Sequence, residues 1–219
     1  MKIVKTNFKY NLLDLKKDEY IKIIKRKSPN NSHLFFKTLF KSLSSATGIV
    51  KYCSATEDIE RILQNKFSSS VRLTPFYKSW IKDMGHVCKV FCKFLNDNKI
   101  SFWIGTQRGC SRFHVDMVPY RLLLTYFGQG TEILPNHAAD RRAFAEGKTN
   151  KDIIKNKSAI NYIKKWDIAI FKGGNKGILH RTPDSALNGN SSILMRLDTS
   201  SFLESIKKIN KLSVVNKKY

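Results

Sequence analysis

The side chains of this chain whose types and spacing could do chemistry are His114 and Asp116, two residues apart, and a second histidine far downstream, His180. The first pair sits in Cys110-Ser-Arg-Phe-His-Val-Asp-Met-Val118, which reads as a strand. Alternate residues of a strand point to the same side. Cys110, Arg112, His114 and Asp116 are therefore expected on one face, with Phe113, Val115 and Met117 on the opposite, packing face. An imidazole nitrogen and a carboxylate oxygen so placed can act as two cis ligands of one metal ion. His180 ends the apolar strand Gly177-Ile-Leu-His, just after Gly173-Gly174, where it can supply a third ligand. Two histidines and one carboxylate on one side of an ion leave positions open for substrate and oxygen. The alternative is a surface His–Asp pair with His180 in a loop, and the strand periodicity around both segments argues against it. His137, in Leu-Pro-Asn-His-Ala-Ala, reads as a loop residue, and His33 precedes a helical run.

The elements that must position these residues follow from hydrophobic period. Before Asn98 the chain reads helical. Ser54-Ala-Thr-Glu57 has capping-box spacing ahead of Ile59, Ile62 and Leu63. Tyr77, Trp80, Ile81, Met84, Cys88, Phe91, Cys92 and Leu95 form one stripe of an amphipathic helix over 77–96. Cys88 and Cys92 lie on that stripe and read as packed thiols rather than a metal or redox pair, whereas His86 lies off it and is expected to be exposed. After Asn98 the period falls to two. Strands are expected at Ile100–Ile104, Cys110–Val118, Arg121–Phe127, Thr131–Leu134, Trp166–Phe171, Gly177–His180 and Ser192–Asp198. Gly128-Gln-Gly130 reads as the tight turn of a hairpin, and 138–157 as a helical or irregular excursion. Roughly seven short strands with glycine-rich turns suggest a β-sandwich or jelly roll rather than a parallel sheet.

Composition frames this reading. The chain has 219 residues, 42% of them hydrophobic and 11% aromatic, enough to bury a full core. No apolar run approaches the roughly 20 residues needed to cross a bilayer. The first residues are broken by charge too often for a secretory signal, so a soluble, cytoplasmic protein is expected. Four cysteines in this length do not suggest a disulfide framework. The net charge of +23 has two readings, solvated lysine faces or a surface for a polyanion; no nucleic-acid motif of defined spacing accompanies it. Between Ile100 and Glu146 there is no lysine, yet Arg108, Arg112, Arg121, Arg141 and Arg142 fall there. Such positions suit a forked guanidinium rather than any positive charge, or else structural salt bridges. Arg121 lies in a strand apolar on both faces and so needs a buried acidic partner, for which Glu132 or Asp140 are natural choices.

The series Phe113-His-Val-Asp116, Arg121-Leu-Leu-Leu-Thr-Tyr126, Trp166-Asp-Ile-Ala-Ile-Phe-Lys-Gly-Gly174, Gly177-Ile-Leu-His-Arg-Thr-Pro-Asp184 and Ile193-Leu-Met-Arg-Leu-Asp-Thr-Ser200 resembles the double-stranded β-helix of Fe(II)/2-oxoglutarate-dependent oxygenases. It is similar, more closely, to a bacterial family named only as domain of unknown function 1826, over roughly Trp103 to Asp198. The resemblance implies an α+β protein. A mainly helical region, 1–99, would pack on a jelly-roll or cupin-like core, 100–203, followed by a basic tail, 204–219. It implies Fe(II) held by His114, Asp116 and His180, with no catalytic residue beyond these ligands. It also implies 2-oxoglutarate held by a cation on the last core strand. Arg196 is the basic residue of that strand and can offer a carboxylate two parallel hydrogen bonds; Arg181 or Arg121 could take the role instead, with Tyr126 and Thr125 adding hydroxyl contacts. The substrate, small molecule or macromolecule, is not specified. A cupin-like divalent-metal protein without oxygenase activity, binding zinc or iron with Cys110 as an extra ligand, is the competing expectation.

Overall fold

The computed structural model describes residues 15, 19–40, 42–187 and 192–202. Among these, nine strands form two antiparallel sheets, in a mixed α+β fold. The large sheet runs β1 (Ile21–Ile24), β7 (Ile168–Lys172), β4 (Tyr120–Phe127), β9 (Ile193–Thr199), β3 (Lys99–Gly105) and β2 (Ser45–Lys51) in spatial order. The small sheet runs β6 (Asn161–Tyr162), β5 (Glu132–Leu134) and β8 (Leu179–Arg181).

Each strand of the large sheet divides its side chains between two environments, because the pleat sends alternate residues to opposite faces. Leu122, Leu124 and Tyr126 of β4, Ile168 and Ile170 of β7, Ile193, Met195 and Leu197 of β9 and Ile100, Phe102 and Ile104 of β3 join the main core. The intervening Leu123, Ala169, Phe171 and Leu194 face the small sheet in a separate cluster with Ile133 and Ile163. Helices α1 (Ser32–Leu39), α2 (Ala55–Leu63) and α4 (Pro75–Leu95) cover the first face. The stripe read from the sequence is buried from Tyr77 to Cys92, with Leu95 partly buried, and Cys88 and Cys92 are free thiols packed in the core. Pro75 sits in the first turn and Thr74 Oγ1 accepts from Tyr77 N, while Asn96, in a left-handed conformation (φ 51°), ends the helix. His86 is partly buried rather than exposed.

Several expectations are corrected. The region 1–99 does not only pack on the core: it supplies both edge strands of the large sheet, β1 and β2. The helix start at Ala55 is where the spacing puts it, but the Ser54–Glu57 box does not form. Instead Ser54 Oγ and Lys51 N both donate to Asp58 Oδ2, at 3.0 and 2.9 Å. Gly128-Gln-Gly130 does not close a hairpin. β4 and β5 lie in different sheets, so this turn is where the chain leaves one sheet for the other. The excursion 138–157 holds two short helices, α5 (Arg141–Ala145) and α6 (Asn150–Ile153), beside a small apolar cluster of Phe113, Leu134, Ala138, Ala139, Ile153 and Leu179. A four-residue helix, α3 (Ser69–Arg72), precedes α4, and another, α7 (Asp184–Leu187), follows β8. Among the described residues no helix is long and apolar enough to cross a membrane. The tail 204–219 lies outside the described residues.

Candidate metal centre

The segment carrying His114 and Asp116 is not the continuous strand its alternation suggests. It pairs at one point, where His114 N donates to His180 O and His180 N to His114 O, both at 3.0 Å. One such pair is enough to align the side chains, since directly opposed residues of an antiparallel pair project from the same face. The two imidazoles accordingly lie side by side, with ring centroids 4.5 Å apart. Asn150 clamps the segment from the other side: its Oδ1 accepts from Phe113 N at 2.9 Å, and its Nδ2 donates to Ser111 O at 2.9 Å. Phe113 is fully buried, as the alternation predicts, but Met117 is 73% exposed and does not pack. Arg112 is drawn away from the site, donating to the carbonyls of Lys148 and Phe144 at 3.1 Å each.

Beyond Val115 the chain bends and Asp116 enters the protein interior, 5% exposed. Gly174 N donates to its carbonyl at 2.8 Å. The preceding Gly173 lies so close beneath this bend that a Cβ there would overlap Val118 O and stand 2.5 Å from Asp116 O. His114, Asp116 and His180 thereby form the group of potential ligands found among the described residues, with one atom from each within 4.8 Å of the other two. Asp116 Oδ1 lies 3.9 Å from His114 Nε2, and Oδ2 lies 3.3 Å from His180 Nε2.

Four observations bear on whether these residues suit a metal. The Nδ1 atoms of His114 and His180 each lie 3.1 Å from a carbonyl oxygen, of Arg112 and Ile178 respectively. A carbonyl only accepts, so each Nδ1 carries a proton and each Nε2 is left facing Asp116, from where it can offer a lone pair to a cation; this is how histidines are fixed as ligands elsewhere. Asp116 Oδ2 is buried and has no hydrogen-bond partner among the described residues, although it faces His180 Nε2. Three potential ligand atoms therefore converge where a cation could be held. Bonds of about 2.0–2.2 Å to nitrogen and oxygen let one ion span ligand atoms up to about 4 Å apart, so small side-chain rotations bring all three onto it. Burial by itself raises the Asp116 carboxyl, but His180, Arg121 and His114 outweigh it and hold it below the usual carboxylate range. The donor set fits.

The surrounding arginines have distinct placements. Arg121 and Asp198 are opposed across β4 and β9. Arg121 Nε donates to Asp198 Oδ1 at 2.7 Å, and its Nη1 donates to Asp116 Oδ1. Its partners are thus Asp198 and Asp116, not Glu132 or Asp140, and the guanidinium is occupied. Arg181 is also occupied. Glu132, its register partner across β5 and β8, accepts from Nε at 3.0 Å, and Asp184 accepts from Nη1 at 2.9 Å. Tyr126 is not brought to the site. It lies on the opposite face of β4, fully buried, and its hydroxyl donates to Asp83 Oδ2 at 2.9 Å. Thr125 is buried on the site face of β4.

Arg196 differs from all of these. Its Nε lies 3.1 Å from Asp198 Oδ2, and the guanidinium stacks over Trp103, its register partner on β3, and over Phe202, at 5.5 and 5.2 Å. No described residue takes a hydrogen bond from its two terminal nitrogens. Burial lowers its pKa against the pull of Asp198, while burial raises that of Asp198 despite both arginines. Cys110 is exposed and interacts with His114. Burial depresses the imidazole pKa, but the thiol, the Arg112 carbonyl and Asp116 together raise it; the hydrogen bond to His114 lowers that of the thiol. Asp198 is the residue that reading for ligands missed. Its signal was present: it stands two positions after Arg196 in a strand and so shares its face.

No curated protein matches the chain. A family model described as protein of unknown function (DUF1826) matches residues 15–198, a span that includes His114, Asp116 and His180 and the ion pairs behind them, Asp198 being its last residue. The chain therefore belongs to the DUF1826 family.

Proposed function

We propose that this protein is a non-haem Fe(II)- and 2-oxoglutarate-dependent oxygenase whose two antiparallel sheets form a double-stranded β-helix core. The reading is carried by one observation: the rings of His114 and His180, each oriented by a carbonyl at Nδ1, and an Asp116 oxygen without a hydrogen-bond partner among the described residues come together, one potential ligand atom of each residue within 4.8 Å of the others. His114, Asp116 and His180 would hold the ion, which when bound supplies oxygen activation coupled to oxidation of 2-oxoglutarate to succinate. Arg121 keeps Asp116 ionised and oriented. Arg196 is the cation with free donors and suits the distal carboxylate of the cosubstrate, with Trp103 and Phe202 limiting water around it. Adding Fe(II) and then 2-oxoglutarate under anaerobic conditions should produce a weak visible charge-transfer band. A folded protein that binds Fe(II) yet shows no band would remove the cosubstrate from the proposal.

A second reading has its own observation. Cys110 interacts with His114 and could complete a zinc site without oxygenase chemistry, in a cupin-like metal-binding protein. Elemental analysis of the protein and its Cys110→Ala variant separates the two: zinc lost on substitution favours this reading, and iron retained favours the first.

A further inference from the structure

A groove of about 580 Å³ opens where β1 ends and β7 begins, and its charge is one-sided. Lys25, Lys164 and Lys165 line it, all exposed and in no ion pair with a described residue. The other charged lining groups are already occupied. Arg26 is bound to Asp83 at 2.8 Å and to Trp166 O at 2.7 Å, and buried Asp167 accepts from Arg26 N at 2.9 Å. Three uncompensated ammonium groups remain.

The turn presenting Lys164 and Lys165 is held firmly. Asp167 N donates to Lys164 O at 3.2 Å, and Trp166, between them, has a left-handed backbone with φ 70°. Such a conformation costs a non-glycine residue about 1–3 kcal/mol and persists only where the surroundings impose it. Here Trp166 N donates to Thr125 O at 2.8 Å, and the indole is buried against Tyr126, ring centroids 4.9 Å apart. The facing wall is equally close: a Cβ on Gly130 would overlap Ile163 O. Beside the lysines stands Tyr162, 46% exposed, which also lines the groove.

We infer that this groove binds single-stranded nucleic acid, with Lys25, Lys164 and Lys165 on backbone phosphates and Tyr162 under a base. Lysines arranged along a groove beside an exposed aromatic ring are the elements of sequence-tolerant single-strand binding. An acidic peptide would satisfy the lysines but offers no planar base to the ring. Fixing two of the lysines on a strained turn reduces the ordering cost of binding. The chain's net charge of +23 raises encounter rates with any polyanion. The groove wall is also tied to the loop that leads to His114, because the Gln129 carbonyl accepts from Arg108 Nη1 at 3.0 Å. The inference rests on the groove alone and holds with or without a metal.

The test is fluorescence anisotropy of a labelled single-stranded DNA of about 12 nucleotides on the full chain in EDTA, so that failure of the metal reading leaves it untouched. The triple variant Lys25→Glu/Lys164→Glu/Lys165→Glu should weaken binding at least about 10-fold and flatten the salt dependence by about two in log–log slope. Tyr162→Ala should weaken it about 5-fold or more. A control triple, Lys51→Glu/Lys78→Glu/Lys82→Glu, changes net charge equally on exposed residues away from the groove and should have a much smaller effect. Equal weakening by both triples, or equal competition by polyglutamate and by unlabelled single strand, would overturn the inference.

Discussion

The two faces of the large sheet are built from the same strands and share almost nothing else. Along β9, Ile193, Met195 and Leu197 sit in the oily layer under the helices, while Arg196 and Asp198 stand between them on the other side, with Arg121 and Asp116. On the first face, exchangeable apolar volume provides stability. On the second, each charge is tied to a named partner, and the partners lead from the ligand carboxylate through Arg121 and Asp198 to Arg196. A single pleat thus separates the helix-covered apolar core from the ion-paired cluster at a spacing of one residue.

Four substitutions can break or sharpen that division. The largest effect is expected for Arg121→Met, which leaves Asp116 and Asp198 buried without their cation. It should lower stability by about 3–5 kcal/mol and metal affinity by about 10- to 100-fold, read by denaturant unfolding and by metal titration of the folded protein. A neutral outcome would show that the charged face needs no partnering and that the contrast is superficial. Leu124→Ala, on the helix side of the same strand, should cost about 2–5 kcal/mol while leaving the metal affinity of the folded fraction unchanged. A loss of metal affinity there would mean that the two faces are coupled. His114→Ala should do the reverse. It removes a ligand and should weaken metal binding by about 100-fold, or about 2.7 kcal/mol, yet barely move the unfolding midpoint in chelator, because the imidazole is 31% exposed.

The smallest effect is expected at the edge of the large sheet, at Asp58, which accepts from Lys51 N of β2. Burial raises its carboxyl, but hydrogen bonds from Lys51 N and Ser54, with Arg61 beside it, outweigh that and hold its pKa below the ordinary value. A depressed carboxylate contributes stability that is complete above the unfolded pKa, near 3.9, and is lost as pH falls through the lower folded value. Asp58→Asn should therefore cost about 1 kcal/mol at neutral pH, and the gap to the parent should close only below about pH 4. A gap that closed already between pH 5 and 7 would assign the effect to another group.

How much of this was legible in the sequence follows from which signals are local. Helix α4 and strands β3, β4, β7 and β9 carry long, clean periods, and their residues read correctly. β2, Ser-Ala-Thr-Gly-Ile-Val-Lys, lacks bulky β-formers in its first half, and four-residue β1 lies among lysines, so neither announced itself. That His114, Asp116 and His180 come together was legible because alternation and one apolar strand pointed to all three, even though the first segment makes a single bridge rather than a strand. Partners were not legible. That Arg121 meets Asp198, Arg181 meets Glu132 and Tyr126 meets Asp83 depends on strand order and register across 40 to 80 residues of chain, which no local pattern encodes.

The Gly173–Gly174 step carries a consequence for the inheritance of the site. Gly173 has no room for any side chain, since the backbone oxygens of Asp116 and Val118 occupy the space, and Gly174 has a backbone angle, φ 88°, that L-residues rarely adopt. Every missense change at either codon therefore falls on the His114–Asp116–His180 cluster through the main chain. The heritable vulnerability of the site extends to two positions that bear no functional group.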